Sequence, residues 1–72
     1  MARYIINRRQ QDTGEHEVHN STTGCSHMPN FENQVYLGEF RTCHDAVVFA
    51  KRQNPLLEID GCFWCSRVCH TR

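Results

Sequence analysis

The chain has 72 residues, 39% of them hydrophobic, with eight basic and eight acidic side chains that cancel. That length allows one domain, spanning 1–72, whose apolar core is marginal without a staple. Zero formal charge gives no broad electrostatic footprint for nucleic acid, whose backbone binds through neutralised phosphates. No apolar run approaches a membrane span.

In chain order, residues 3–9 carry Tyr4, Ile5 and Ile6 and read as a first strand. Arg3, Arg8 and Arg9 make it locally basic, which reads as a solvated face. Residues 10–14 (QQDTG) signal a turn, and residues 15–20 (EHEVHN) return as a second strand. Alternation puts His16, Val18 and Asn20 on one face and Glu15, Glu17 and His19 on the other. Residues 21–33 are rich in Ser, Thr, Gly, Asn and Pro and are expected to be irregular. Residues 34–40 (QVYLGEF) read as a third strand.

Thr42 with Asp45 three positions on is an N-cap signal, and Asn54-Pro55 is a stop, so a helix is expected from about Cys43 to Gln53. Cys43, Ala46, Val47 and Ala50 share one stripe, small enough for close approach to a sheet, with Phe49 at its edge to cover the sheet's flank. On that stripe Cys43 reads as a buried, inert thiol. Val48 points away from the stripe, and His44 is expected to be exposed. Residues 55–59 (PLLEI) form a short apolar segment that closes the core and delivers the Asp60-Gly61 turn into Cys62. The expected architecture is α+β: a small three-stranded antiparallel sheet with one helix and a C-terminal zinc knuckle.

Five cysteines and five histidines offer the missing staple. An odd number of cysteines leaves a thiol over in any purely disulfide framework. The start MARYIINRRQQ has no apolar leader, so the chain reads as cytoplasmic, where Cys/His clusters are more often metal ligands than disulfides. Cys62-Phe63-Trp64-Cys65 is a C-x2-C behind a glycine turn, a spacing that lets two thiolates reach one ion. Structural zinc takes four ligands, so two more must come from elsewhere. His19 ends the second strand and Cys25 follows in the irregular loop. Joining them to Cys62 and Cys65 closes a long loop across the domain, where a cross-link helps a small core most. The preferred metal ligands are therefore His19, Cys25, Cys62 and Cys65. The chief alternative puts Cys69 in place of His19, and His16 or His27 are lesser substitutes that otherwise read as surface or hydrogen-bonding residues. Cys69 and His70 otherwise cap a final turn, and Phe63 and Trp64 are expected to pack the knuckle onto the sheet.

The strand ending in VHN, the cysteine soon after it, MPNFENQVYLGEF, the helix TCHDAVVFAKRQ and the terminal C-x2-C together resemble the small Ada-like zinc-binding domains. These are related to the N-terminal metal-binding domain of the Ada methyl acceptor. The resemblance covers roughly residues 15–66. The full pattern with DGCFWCSRVCHT is also similar to a group of uncharacterised bacterial proteins of about this length. It implies that His19, Cys25, Cys62 and Cys65 hold the metal. The His-to-Cys gap is longer here than in that family. The family's basic run before the C-x2-C is replaced by Ile59-Asp60-Gly61, which argues against DNA binding and methyl transfer.

Three functions follow as expectations. The first is a non-catalytic, structural zinc-binding module that binds a protein partner, or a nucleic acid without help from net charge; chelation should then unfold it or leave it molten. The second is a thiol-disulfide or redox-sensing protein using the C-x2-C, with Cys69 as resolving thiol. The third is a zinc enzyme or a methyl acceptor, disfavoured because four protein ligands leave no open coordination position.

Overall fold

The computed structural model describes residues 1–71. Strands β1 (Ala2–Asn7), β2 (His16–Asn20), β3 (Gln34–Phe40) and β4 (Ile59–Gly61) and one helix, α1 (Cys43–Gln53), build an α+β fold. The sheet is four-stranded and mixed, in the order β3-β1-β2-β4, which corrects the expected three-stranded antiparallel sheet. β1 pairs antiparallel with β2 and with β3, whereas β4 lies parallel to β2. The physical reason is the helix. It carries the chain from the β3 edge back across one face, so the next extended segment runs in the same direction as β3 and β2. That segment, Ile59–Gly61, is only three residues long and too short to register as a strand by alternation. The two leucines expected to close the core do not: Leu56 is 96% exposed and Leu57 is also exposed.

The core lies between α1 and the sheet. Tyr4 and Ile6 from β1, Val18 from β2 and Ile59 from β4 meet Cys43, Ala46 and Ala50 of the helix. Small side chains on that stripe let the helix lie close on a thin sheet. The Thr42 hydroxyl accepts from the Asp45 N–H at 3.2 Å and caps the helix, and the Asn54 N–H ends it on the Ala50 carbonyl. Phe49 packs on Phe40 at the sheet's flank, with ring centroids 5.4 Å apart. Side-chain alternation turns Val18 into this core and His19 to the opposite face, beside its cross-strand neighbour Ile5.

The C-terminal hook is held to this frame at several points. The Cys62 N–H donates to the Val18 carbonyl at 2.9 Å, continuing the parallel ladder one residue past β4. Buried Asp60 accepts from the Thr71 N–H and hydroxyl at 2.9 and 3.0 Å and faces His70 Nδ1 at 3.3 Å. His70 Nδ1 also lies 3.0 Å from the Gly61 carbonyl. Residues Arg67–Cys69 form a 3-10 turn, which the expected final turn foreshadowed.

Cys43 is not an inert thiol. It forms a disulfide with Cys69, across a sequence separation of 26 and with Cα atoms 6.2 Å apart. This also removes Cys69 from the metal ligands, correcting the alternative that placed it there. A cross-link closing a loop of that size removes unfolded-state freedom of about 3–4 kcal/mol in the chain-entropy picture. The disulfide fixes the identity of residue 61: a Cβ built on Gly61 would stand 2.6 Å from Cys69 Cβ and 2.8 Å from its carbonyl carbon. Gly61→Ala is expected to cost about 1–3 kcal/mol in chemical denaturation, the usual range for forced overpacking.

Candidate metal centre

Two segments converge on the sheet face away from the helix. The first is the end of β2 and the loop behind it. Asn20 Oδ1 accepts from the backbone of Thr22 and Thr23 at 3.0 and 3.2 Å, and the Gly24 N–H donates to the Asn20 carbonyl at 2.8 Å. The turn passes through Gly24 at φ +65°, a left-handed conformation that a side chain would resist. This tight reversal brings Cys25 back over His19, so five intervening residues span a short distance. The second segment is the hook behind β4. The Trp64 N–H lies 3.3 Å from Cys62 Sγ, and the Ser66 N–H closes the turn on the Cys62 carbonyl at 2.9 Å.

The donor atoms of His19, Cys25, Cys62 and Cys65 all lie within 4.8 Å of one another, close enough to hold one metal ion. Cys25 Sγ and Cys62 Sγ are 3.9 Å apart, and Cys65 Sγ and His19 Nδ1 are 3.5 Å apart. Thiolate and imidazole donors at zinc bond lengths on a tetrahedron stand about 3.5–3.8 Å from each other. The two separations therefore match edges of a coordination tetrahedron and exceed any sulfur–sulfur bond. Cys25, Cys62 and Cys65 are all free thiols.

Burial sets the protonation state of these donors. His19 and Cys62 are fully buried. Burial, assisted by His27, holds the His19 imidazole down to about 4, so it stays neutral and available as a donor. Burial pushes the Cys65 thiol up to about 12 against a backbone hydrogen bond from Asn20, and proximity to Cys25 and Cys62 pushes the same way. Cys62 is likewise raised by burial, opposed by the backbone groups of Cys65 and Trp64. Cys62 and Cys65 therefore resist ionising by themselves. A bound divalent cation inverts that preference and makes them thiolates.

His19 Nδ1 faces the thiols, and its Nε2 is buried without a hydrogen-bond partner, 3.8 Å from Glu17 Oε1. Glu17 is steadied by Gln11 Nε2 at 3.2 Å, and burial raises its pKa above the ordinary carboxylate value. A metal-bound imidazole needs an acceptor for its other N–H, and Glu17 stands on that side. The contact of Glu17 with His19 was not singled out in the sequence, although its i−2 position on the same strand face was visible there.

The remaining expectations divide. His16 contacts the Asn7 carbonyl through Nδ1 at 3.1 Å, and His44 is exposed on the helix; neither joins the cluster. His27 stacks on Trp64, with centroids 4.6 Å apart and planes 15° from parallel. Trp64 therefore clasps the loop that carries Cys25, remains 60% exposed, and does not pack the knuckle onto the sheet as expected. Phe63 is also partly exposed, edge-on to Trp64 and His70 and beneath the Arg67 guanidinium at 4.9 Å.

No known family, curated protein or solved structure matches the chain. No helix among the described residues is long and apolar enough to cross a membrane.

Glu17→Ala is expected to weaken metal binding about 10–100-fold, as loss of an outer-sphere partner does, while Glu17→Gln retains part of the affinity. Competition titration against a chromophoric chelator measures both. Cys25→Ser and Cys62→Ser should abolish stoichiometric binding, whereas Cys43→Ser should leave the chain able to take up metal.

Proposed function

We propose that this protein is a non-catalytic module organised around one structural zinc ion held by His19 Nδ1, Cys25, Cys62 and Cys65. The observation that carries the reading is the convergence of these four donors at tetrahedral spacing. Three thiols and an imidazole suit zinc among the common divalent ions. Four protein donors would complete a structural zinc shell and leave no open position for water or substrate, which favours a role in stability over catalysis. The ligand order, a strand-ending histidine, a loop cysteine and a terminal C-x2-C, supports the relationship to Ada-like zinc domains. The Cys62–Cys65 pair as a redox dithiol has less support, because the disulfide of this chain lies between other cysteines. For a cytoplasmic chain the three free thiols speak in favour and the Cys43–Cys69 disulfide against, since disulfides form and persist in oxidising compartments.

Zinc in this position would clamp the hook to the end of β2, and the exposed Phe63–Trp64–Arg67 surface beside it is where we place contact with a protein partner. With zero net charge on the chain, a nucleic-acid partner has less support.

Protein produced in zinc-replete medium is expected to carry about one zinc per chain by elemental analysis, since structural sites of this kind are mononuclear. Folded protein with less than about half an equivalent would defeat the proposal. Because the disulfide still ties the hook to α1, chelation alone should loosen the zinc face while leaving helical circular dichroism in place. Chelation together with a reductant should unfold the chain.

A further inference from the structure

We propose that Cys43–Cys69 is an exchangeable disulfide, opened by a small thiol that attacks Cys69 from a neighbouring cavity, and that its state regulates how tightly the hook holds metal. The regulatory part rests on the zinc reading above; the exchange chemistry does not.

The two sulfurs are in unequal surroundings. Cys69 is part-exposed and lines a cavity of about 280 Å³ between α1 and the hook, walled by Val47, Val48 and Val68, with Lys51 and His44 at its side and Asp60 also in its lining. Cys43 is only 6% exposed and is not among the residues lining that cavity. A thiolate entering the cavity therefore meets Cys69. Cys43 is the first residue of α1, behind the Thr42 cap. Attack at Cys69 from the cavity makes Cys43 the departing sulfur.

In the first step the incoming thiolate forms a bond to Cys69 Sγ, the Cys43–Cys69 bond breaks, and Cys43 leaves with the electron pair as thiolate. In the second, another thiolate attacks the sulfur of the small thiol in this mixed disulfide and releases Cys69 as thiolate. The small thiol ends as its own disulfide, so two thiols are oxidised as one protein disulfide is reduced. The consequence reaches the metal ligands through the backbone. Cys69 packs directly on Gly61, and Gly61 precedes Cys62, while only three residues separate Cys65 from Cys69. Opening the disulfide frees the far end of the hook from α1 and leaves the metal to hold it alone.

The test uses the full chain, metal-loaded, with millimolar reduced glutathione as the probe. Samples are quenched in acid, alkylated and mapped by mass spectrometry. The expected first product is a glutathione adduct on Cys69 with Cys43 free. An adduct on Cys43, or modification of Cys25, Cys62 or Cys65 while Cys43–Cys69 stays closed, overturns the exchange. Val48→Trp, which fills the cavity, should slow the exchange about tenfold with metal content unchanged; an unchanged rate overturns the route through the cavity. In competition titrations the opened chain, and the Cys43→Ser/Cys69→Ser variant wherever circular dichroism shows it folded, should bind zinc at least about tenfold more weakly than the closed chain. Equal affinities overturn the regulation. If neither form binds zinc, the zinc reading fails, while the adduct map still decides the exchange.

Discussion

The hook behind β4, residues 62–69, has to be held against a sheet too small to retain it by burial. Among the described residues only nine hydrophobic side chains are buried, and two of those are cysteines. The hook meets the sheet at its parallel edge through the Cys62–Val18 hydrogen bond, with a disulfide on one side of it and a set of candidate metal donors on the other. On the helix face the Cys43–Cys69 disulfide joins it to α1. On the other face the His19, Cys25, Cys62 and Cys65 donors converge for a metal. The sheet separates these two anchors because Val18 and His19 are adjacent and point to opposite sides.

Such an arrangement explains several residue choices that otherwise look unrelated. Gly61 is bare because Cys69 passes over it. Gly24 is bare because the loop behind β2 must reverse within a few residues to bring Cys25 onto His19. Asp60, 3% exposed, accepts two hydrogen bonds from Thr71 through Oδ1 and faces His70 with Oδ2, which holds the tail in place. A buried carboxylate without such partners would be costly, since desolvation alone disfavours its charge.

Division of labour among the cysteines follows from the same geometry. Pairing removes two of the five from the thiol pool, and the three left are those gathered around His19. Free thiols about one tetrahedral edge apart and a disulfide can coexist in one small domain because they occupy opposite faces and do not contact one another's sulfur. Only three residues separate Cys65 of the donor cluster from Cys69 of the disulfide.

The helix, its Thr42 cap, its Asn54 stop and the third strand were legible in the sequence, because each depends on contacts within a few residues of itself. The convergence of His19, Cys25, Cys62 and Cys65 was legible too, since a C-x2-C limits its own geometry and demands two further donors. What the sequence could not decide was which way the last strand would run and which cysteine would find which. A parallel β4 depends on the helix crossing the whole sheet, and Ile59–Gly61 is too short to declare itself. Cys43 carried every local sign of an inert core thiol; only the return of the hook, 26 residues later, puts Cys69 within bonding distance. Local hydrogen bonding and spacing set the elements and the donor set, whereas pairing across the chain was decided by how those elements packed.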